Sequence, residues 1–320
     1  MVYYFAYGSN MSIKRLKARL PSVDKVGIFS LAQHKLAFHK KGDDGSAKAD
    51  AYFTANSNDK IIGLVFRLTS SDIEILDKIE GVGAGYEQKQ VTVFNEQNES
   101  LLALTYYATK IDSTLKPYPW YHHHVSIGAT QASLPESYIE SIESITTNQE
   151  PDAKRQQREM FIYNQAPIVI RQYETGEEKH LWKIFYHTVR RINLGDYTQT
   201  QVEAWAPDSY NQEYWCRRVQ KISPFVATID KYFVGYADTQ VDGYIDHFFC
   251  HHAYQGIGVG KKLITKLFDT ARQRQLEKLY THASITARPF FEYFGFQLVK
   301  PQQVEIRGQT LTNFVLEKRF

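Results

Sequence analysis

Cysteine is scarce in this sequence, with Cys216 and Cys250 the two among 320 residues. Two thiols cannot form a disulfide framework, and neither stands in the paired spacing of a metal site. We therefore expect no resident metal and a reducing, cytoplasmic environment for the protein.

Long apolar runs are absent as well, since no stretch approaches the roughly 20 consecutive apolar residues of a membrane span. The N-terminus has no basic segment followed by an apolar one, so we expect no signal peptide. Lysine and arginine number 38 against 35 aspartate and glutamate residues, and this balance argues against a nucleic-acid partner. The expected partners are small molecules, with no membrane or nucleic-acid partner, and the sequence leaves the oligomeric state open.

The length of 320 residues favours two domains. Short apolar runs of strand length dominate the first half, whereas strands and helices alternate in the second. The one long segment almost free of apolar residues lies between Thr146 and Arg158. We expect a first domain at 1–147, a linker at 148–166 and a second domain at 167–320.

An anion-binding turn is predicted near the N-terminus. An apolar strand gives way at once to a turn of small and polar residues: Tyr7, Gly8, Ser9 and Asn10. Such residues expose backbone N–H groups and tolerate unusual dihedral angles. Successive amides of this kind can point at one carboxylate or phosphate.

A carboxylate is expected in a glycine-rich bend further along the chain. Ser70, Ser71 and Asp72 precede apolar residues at helical spacing as far as Ile79. The segment 76–86 then places Glu80 in a glycine-rich bend. An anion-binding turn combined with a general base outlines an active site.

The two motifs, in this order, resemble the γ-glutamylcyclotransferase (AIG2-like) family across residues 1–147. The matching segments are 4–11, 76–81 and 85–86. The resemblance implies a small mixed β-barrel with flanking helices. It also implies release of 5-oxoproline from a γ-glutamyl amine or peptide by intramolecular attack.

The resemblance also implies roles for individual residues. The amides of the turn would hold the substrate carboxylate or the developing oxyanion. Glu80 would act as general acid and base, and Tyr106 would line the pocket. Taken alone, the turn is most often only a turn, and Glu80 could be solvated or paired with Lys78. The occurrence of both in the family's order favours the functional interpretation.

Two polar segments of the first half are interpreted as surface. His122, His123 and His124 are adjacent and cannot all face one metal ion, so a surface loop is expected. The basic run at 14–19 is expected on a solvated helix face.

A second ligand-binding loop is predicted in the C-terminal half, formed by Gln255, Gly256, Ile257, Gly258, Val259 and Gly260. Residues 248–250 supply a strand before it, and apolar residues at helical spacing follow it. A helix N-terminus offers free N–H groups to a phosphate. A dinucleotide-binding fold is an alternative, but the loop stands near the end of its domain and no acidic residue follows at the expected interval.

The loop and the segment 284–296 resemble the GNAT acetyltransferases over residues 167–320. The resemblance implies a twisted mixed sheet with helices on both faces and acetyl-CoA as co-substrate. The pyrophosphate of acetyl-CoA would lie on the backbone of the loop as far as Lys261. Its pantetheine arm would pair with a strand of three residues: Phe248, Phe249 and Cys250.

The acid and base of the acetyl transfer are less defined by the sequence. Asp246 and His247 are candidates for the base, since they directly precede the cofactor strand. Many relatives carry a tyrosine as acid for the CoA thiolate where this chain has Phe291. Tyr293 is a possible acid–base group, but it lies about 200° round a helix from that position and cannot simply replace the tyrosine.

The sequence thus predicts a fused, bifunctional enzyme with an α+β first domain and an α/β second domain. One alternative is that a single domain is catalytic, with the GNAT domain sensing acetyl-CoA. Another is that the first domain binds a γ-glutamyl amine and delivers an amine to the acetyltransferase.

Overall fold

The computed structural model describes residues 1–20, 22–163, 166–230 and 232–320. These residues form two compact units, 1–163 and 164–320. The division falls inside the segment predicted as a linker. Within that segment, Ala153–Phe161 is helical and packs against a helix of the first unit. The predicted domain boundaries themselves stay a prediction.

The first unit contains seven strands and five helices among its described residues. In chain order they are β1 Val2–Ala6, α1 Ile13–Arg19, β2 Asp24–Ala32, β3 His34–Lys41, β4 Ala47–Phe53, β5 Lys60–Leu68, α2 Ser70–Glu80, β6 Tyr86–Phe94, β7 Ser100–Ala108, α3 Pro119–Gln131, α4 Glu136–Glu143 and α5 Ala153–Phe161.

Five of these strands close into a barrel with the order β1-β5-β2-β6-β7. The barrel is mixed, because β1 runs parallel to β7 whereas the other neighbours are antiparallel. Strands β3 and β4 form a separate hairpin. The most buried strand is β5, whose residues 61–66 are all buried, as expected for a strand covered on both faces. The predicted small mixed barrel with flanking helices is confirmed.

Helix α2 positions a candidate site residue at its last position. It starts at a capping box in which Thr69 accepts from the amide of Asp72, one residue before the predicted cap. It ends at Glu80 because Gly81 adopts the left-handed conformation, with φ of 71°. The cap and the glycine together fix where the Glu80 carboxylate emerges from the helix.

The histidine tract is not a surface loop, contrary to the expectation from the sequence. His122, His123 and His124 lie on α3 and are buried. The His122 ring contacts the carbonyl of Ile142, with Nε2 2.8 Å from the oxygen. A helix buried on nearly all sides carries little amphipathic pattern, so the sequence around the three histidines gives no sign of their burial.

The basic run on α1 is also not simply solvated. Arg15 is buried, and its Nη1 lies 2.5 Å from Glu159 of α5 and 2.7 Å from Nε2 of His124. Burial and the neighbouring Arg15 guanidinium lower the pKa of His124 to about 3, so this ring is neutral. The partners of Arg15 are remote in sequence, and its burial therefore left no local signal.

The second unit contains eight strands and five helices among its described residues. They are β8 Val169–Gln172, α6 Glu178–Arg191, α7 Gln199–Trp205, α8 Gln212–Ile222, β9 Phe225–Ile229, β10 Tyr232–Ala237, β11 Tyr244–Ile245, β12 Phe248–Cys250, α9 Val259–Gln273, β13 Lys278–Ser284, α10 Arg288–Tyr293, β14 Gln297–Ile306 and β15 Gln309–Arg319.

These strands form two four-stranded sheets, β12-β10-β9-β8 and β11-β13-β15-β14. Helices cover both faces of the first sheet. Successive residues of a strand point to opposite sides, and two neighbouring residues of β10 contact the two helical layers. Gly235 faces α9, where an added Cβ would lie 2.8 Å from Val259. Tyr236 points instead into the core cluster that contains Leu181 of α6. The predicted mixed sheet of the second domain is confirmed.

The chain passes from one sheet to the other at Asp246 and His247. Strand β11 pairs in parallel with β13, whereas β12, three residues later, pairs with β10. The two sheets therefore separate at this point, and the space between β12 and β13 is open to a ligand.

No helix in the described part of the chain combines the length and apolar character that crossing a membrane requires. The same residues contain no group of three or more potential metal ligands.

Candidate functional site

The predicted anion-binding turn lies directly after β1 and leaves backbone amides available. Residues Ser9–Met11 form a short 3-10 turn, closed by a hydrogen bond from the Met11 amide to the Gly8 carbonyl at 3.0 Å. The first amides of such a turn have no partner inside it. Among the backbone hydrogen bonds of turns and loops in the described residues, none is donated by the amides of Gly8, Ser9 or Asn10.

Helix α3 holds this turn in place through a close approach. A Cβ on Gly128 would lie 2.6 Å from the Ser12 amide nitrogen and 2.7 Å from atoms of Met11. Glycine at this position therefore lets the helix backbone contact the turn directly. The turn is a buried, supported structure, and Ser9 and Asn10 are both buried.

Glu80, the predicted general base, lies next to the turn. Its Oε1 accepts hydrogen bonds from Asn10 Nδ2 at 3.0 Å and from Arg19 Nη1 at 3.0 Å. Arg19 also donates to Asn10 Oδ1 at 2.8 Å, and Asn10 donates to the hydroxyl of Tyr4 at 2.9 Å. The carboxylate is 18% exposed, so it is partly desolvated yet reachable, and Arg19 rather than Lys78 is its cationic partner.

The turn and Glu80 line one cleft of about 300 Å³. Five tyrosines complete its wall: Tyr4, Tyr7, Tyr86, Tyr106 and Tyr121. Burial, reinforced for Tyr4 by the Glu80 charge, raises the pKa of the Tyr4 and Tyr7 hydroxyls well above the ordinary value. These hydroxyls are therefore neutral hydrogen-bonding groups around a carboxylate.

Tyr106 is brought into this cleft from β7. Its hydroxyl donates to Asp77 Oδ1 at 2.7 Å, and its carbonyl accepts from the Tyr7 hydroxyl at 2.7 Å. Asp77 lies one turn before Glu80 on α2, so the pair Tyr106–Asp77 ties that helix to the barrel wall.

The second predicted loop also leaves backbone amides free. Gly256 and Gly258 have φ of 76° and 95°, and a Cβ on either would meet nothing within 4 Å. The first bond of α9 runs from the Lys262 amide to the Gly258 carbonyl at 3.0 Å. The amides of Val259, Gly260 and Lys261 therefore have no partner within the helix, and open space lies above the glycines.

Strand β12 is an edge strand of its sheet. The His251 amide donates to Val234 and the Asp238 amide donates to His247, at 2.9 and 3.1 Å. The backbone groups of His247 and His251 therefore point toward β10. Since the direction alternates along a strand, the backbone groups of Phe248 and Cys250 point to the open edge. The Cys250 carbonyl is already taken by Thr188 Oγ1 at 2.9 Å, so Phe248 offers the freer edge to an extended ligand.

The pocket of the second unit measures about 1320 Å³ and lies between β12 and β13. Counted on from the pair Ile245–Thr281, Asp246 comes level with His282 across the opening. Both residues line the pocket. The Asp246 carboxylate accepts from Arg218 Nη2 at 2.8 Å. Partial burial lowers the pKa of His282, an effect that the Asp246 carboxylate offsets in part.

His247, the other predicted base candidate, is placed differently. Its ring is buried, its Nε2 accepts from Arg218 Nε at 3.0 Å, and its Nδ1 lies 2.9 Å from the Tyr236 hydroxyl. Burial and the Arg218 charge lower its pKa to about 3. With both nitrogens engaged and no place in the pocket lining, His247 is poorly suited to take a substrate proton.

Two family models match the chain. The AIG2-like family matches residues 60–142, and the acetyltransferase (GNAT) domain matches residues 193–318. The N-acetyltransferase YafP of Escherichia coli (strain K12), described as uncharacterized, is 36% identical over 149 residues, 47% of this chain and 94% of that protein. The γ-glutamylcyclotransferase of Bos taurus is 31% identical over 149 residues, 45% of this chain and 79% of that protein. The chain belongs to both families.

Among solved structures, a GCN5-related N-acetyltransferase from Rhodopseudomonas palustris is 27% identical, with a TM-score of 0.47, over 48% of this chain and 97% of that one. A γ-glutamyl cyclotransferase structure is also 27% identical, with a TM-score of 0.44, over 47% of this chain and 91% of that one.

In the GNAT domain, Phe291 and Tyr293 lie on different sides of α10. Phe291 is 2% exposed, with its ring 5.3 Å from that of Phe248. Tyr293 is 83% exposed, although it touches the pocket rim. Free amides, open glycines and an edge strand fit a long phosphate-bearing thioester such as acetyl-CoA, which Gln255 to Lys261 and Phe248 would hold.

Sequence reasoning missed four residues of these sites: Arg19, Asp77, Arg218 and His282. Arg19 and Arg218 touch the carboxylates from helices remote in sequence, so no local signal marked them. His282 lies on the same face of β13 as Tyr280 and Ser284, because side chains two residues apart in a strand point to the same side. This period of two was the available sequence signal for His282.

Proposed function

We propose that the AIG2-like domain cyclises a γ-glutamyl amine or peptide to 5-oxoproline, and that the GNAT domain transfers an acetyl group from acetyl-CoA to an amine. The observation that supports the first activity best is the meeting of Glu80 with the free amides of Gly8, Ser9 and Asn10 in one cleft. Two unpaired cysteines fit the reducing, cytoplasmic setting that we propose for both reactions.

In the first reaction the substrate supplies its own nucleophile. Its α-amine attacks its γ-carbonyl, so the enzyme has to fold the chain and move one proton. Glu80 takes the proton from the amine and passes it to the leaving amine as the carbon–nitrogen bond breaks. The amides of the turn stabilise the substrate carboxylate or the oxyanion. Arg19 donates hydrogen bonds to both Glu80 and Asn10 and so holds the carboxylate beside the turn.

In the second reaction the pocket has to hold two molecules. The loop amides from Gln255 to Lys261 hold the pyrophosphate, and the Phe248 edge holds the pantetheine arm. Asp246 binds the ammonium form of the acceptor, which first loses one proton to solvent and so frees the nitrogen lone pair. His282, level with Asp246 across the opening, takes the second proton that the nitrogen loses as the amide forms. Acetyl-CoA supplies the activated acetyl group. The aromatic lining favours an acceptor with an apolar part.

The replacement Glu80→Gln tests the first activity. Release of 5-oxoproline from a panel of γ-glutamyl amines and peptides should fall by about 10²–10⁴-fold, the range of general acid–base catalysis. Calorimetric binding of CoA should stay unchanged. Glu74→Gln, on an exposed position of the same helix, is the matched control. Unchanged release from the Glu80 variant would remove it from the mechanism.

A second candidate function is that the GNAT domain senses acetyl-CoA without transferring acetyl. Phe291 favours this alternative, because the hydroxyl that many relatives use as acid is missing there. Calorimetry combined with an acetyl-transfer assay over an amine panel separates the two functions. Tight acetyl-CoA binding without turnover on any amine would support the sensor.

A further inference from the structure

The acetyl transfer proposed above needs a group that stabilises the leaving thiolate, and Phe291 has no hydroxyl to offer. We infer that Ser284 donates this stabilising hydrogen bond to the CoA sulfur. This inference rests on the proposed acetyl transfer and adds a residue that the two sequence motifs did not identify for this role.

Ser284 is the last residue of β13. Its hydroxyl oxygen accepts from the amide of Ala287, directly before α10, the helix that carries Phe291. The Phe248 ring lies 5.3 Å from that of Phe291. Ser284, Phe248 and Phe291 all line the pocket. The Ser284 hydroxyl therefore lies in the same region as Phe291, the position at which many relatives carry the tyrosine.

The hydrogen bonds of Ser284 leave its proton available. Its Oγ accepts from Asn193 Nδ2 at 3.2 Å and from the Ala287 amide at 3.1 Å. Both contacts use the oxygen as acceptor, and the hydroxyl hydrogen has no acceptor within the described residues. Two donors on the oxygen polarise the O–H bond and strengthen it as a donor.

The threonines of the pocket have already committed their protons. Thr188 donates to the Cys250 carbonyl at 2.9 Å, and Thr281 donates to the Ile245 carbonyl at 3.0 Å. Thr286 donates to Asp196 Oδ2 at 2.6 Å. None of these three hydroxyls can turn to a ligand without losing an existing bond.

Two other pocket groups compete less well. Burial raises the pKa of the Cys250 thiol to about 12, and an S–H group is a weak hydrogen-bond donor. Tyr293 has an exposed ring, and a hydrogen bond in water is weaker than one at a buried donor such as Ser284, which is 9% exposed.

The reaction balances with Ser284 in this role. The acceptor nitrogen forms a bond to the acetyl carbon while the carbon–sulfur bond breaks and leaves its electron pair on sulfur. His282 takes the proton from the nitrogen and releases it to solvent. Ser284 donates a hydrogen bond to the sulfur without losing its proton, and the thiolate is protonated by solvent after release.

The test measures the thiol of bound CoA, with CoA itself as the probe and no acceptor present. The thiolate absorbance of the saturated complex is titrated against pH for wild type and for Ser284→Ala. A hydrogen bond to a charged group should lower the thiol pKa in the wild-type complex. Its loss should raise that pKa by about one pH unit.

Three variants control the measurement. Ser284→Thr keeps a hydroxyl and should retain most of the effect, whereas Thr286→Val and Tyr293→Phe should leave the bound thiol as in wild type. Phe291→Tyr in the Ser284→Ala background should restore a low thiol pKa by placing a hydroxyl at the position that relatives use. Ser284→Gly repeats the deletion if the alanine variant is too unstable to titrate.

The outcomes distinguish this inference from the proposed function. If wild type does not bind CoA by calorimetry, the acetyl-transfer proposal fails, and this inference fails with it. If CoA binds and Ser284→Ala leaves the thiol pKa unchanged, or if Tyr293→Phe alone raises it, the role of Ser284 is overturned while the acetyl-transfer proposal stands.

Discussion

The two clefts of this protein differ in size and in how their polar groups are used. The AIG2-like cleft occupies about 300 Å³, and its key side chains, Glu80, Asn10 and Arg19, bond to one another. The GNAT pocket occupies about 1320 Å³ and offers mainly backbone amides and an open strand edge. One cleft presents a prepared side-chain cluster, and the other presents a surface for a long ligand.

This difference matches the chemistry that we propose for each domain. A substrate that attacks itself needs one base and one anion site close together. A reaction between two molecules needs room for both. Acetyl-CoA, the larger of the two, would be held by its pyrophosphate and its pantetheine arm, which every CoA thioester carries. The comparison leads to predictions in which a change in one domain should leave the other unaffected.

The largest effect is expected in the loop at 255–260, which we propose to hold the pyrophosphate of CoA. Gly258→Val places a β-branched side chain at φ of 95°, where such residues are strained, and fills the space above the amides. We expect CoA binding to weaken by about 100-fold, because the side chain occupies the space that the pyrophosphate would need, and because strain of roughly 1–3 kcal/mol disturbs the loop conformation that presents the amides. Release of 5-oxoproline should be unaffected.

Gly176→Val is the matched control for that variant. Gly176 has φ of 101° with open space around it, so the strain is similar but lies outside the pocket lining. Its CoA affinity, measured by calorimetry, should equal that of wild type. Equal weakening by both variants would show that the loop effect is only a loss of stability.

A smaller effect is expected at the partner of Glu80. Arg19→Met removes the donor to both Glu80 and Asn10, and we expect 5-oxoproline release to fall by about 10–100-fold, the value of a hydrogen bond to a charged group. CoA binding should not change. Arg67→Met removes a more exposed ion pair with Asp24 in the same barrel and should have little effect. Full activity in the Arg19 variant would contradict the proposed role.

The smallest effect concerns a buried carboxyl group of the GNAT domain. Burial raises the pKa of Asp238 to about 7, and its Oδ2 has no hydrogen-bond partner within the described residues. At pH values between the ordinary pKa of an aspartate and about 7, Asp238 keeps its proton in the folded domain, whereas it has lost this proton in the unfolded chain. The contribution of Asp238 to stability therefore falls as the pH rises through this window.

Asp238→Asn removes that ionisation and keeps an oxygen for the His247 amide, which donates to Asp238 Oδ1 at 2.6 Å. The Tm of the second unit at pH 8 should rise by about 3 °C or more relative to wild type, with a smaller difference at pH 5. Tryptophan fluorescence follows this unit, which contains three of the four tryptophans. Asp242→Asn, at an exposed pair with Tyr280, should give no such gain, and a similar gain would contradict the assignment.

Sequence reasoning succeeded where a local structure depends on neighbouring residues. The turn at 7–10 and the glycine loop at 255–260 before a helix were predicted in their local form, because glycines and helical spacing act over a few positions. Glu80 was predicted in a glycine-rich bend and is instead the last residue of α2, directly before Gly81. It failed where burial depends on distant partners. His124 and Arg15 are polar residues buried together, and their partner Glu159 lies in the segment interpreted as a linker.

The sequence by itself determined the two families, the classes of their folds and the local backbone form of the turn at 7–10 and the loop at 255–260, since these follow from short-range spacing. Only the tertiary structure decided that Arg19 holds Glu80, that His282 faces Asp246, and that the Ser284 hydroxyl is uncommitted. Each of these depends on strands and helices brought together by packing. Hydrogen bonds and charges act over a few ångströms in space, whatever the separation along the chain.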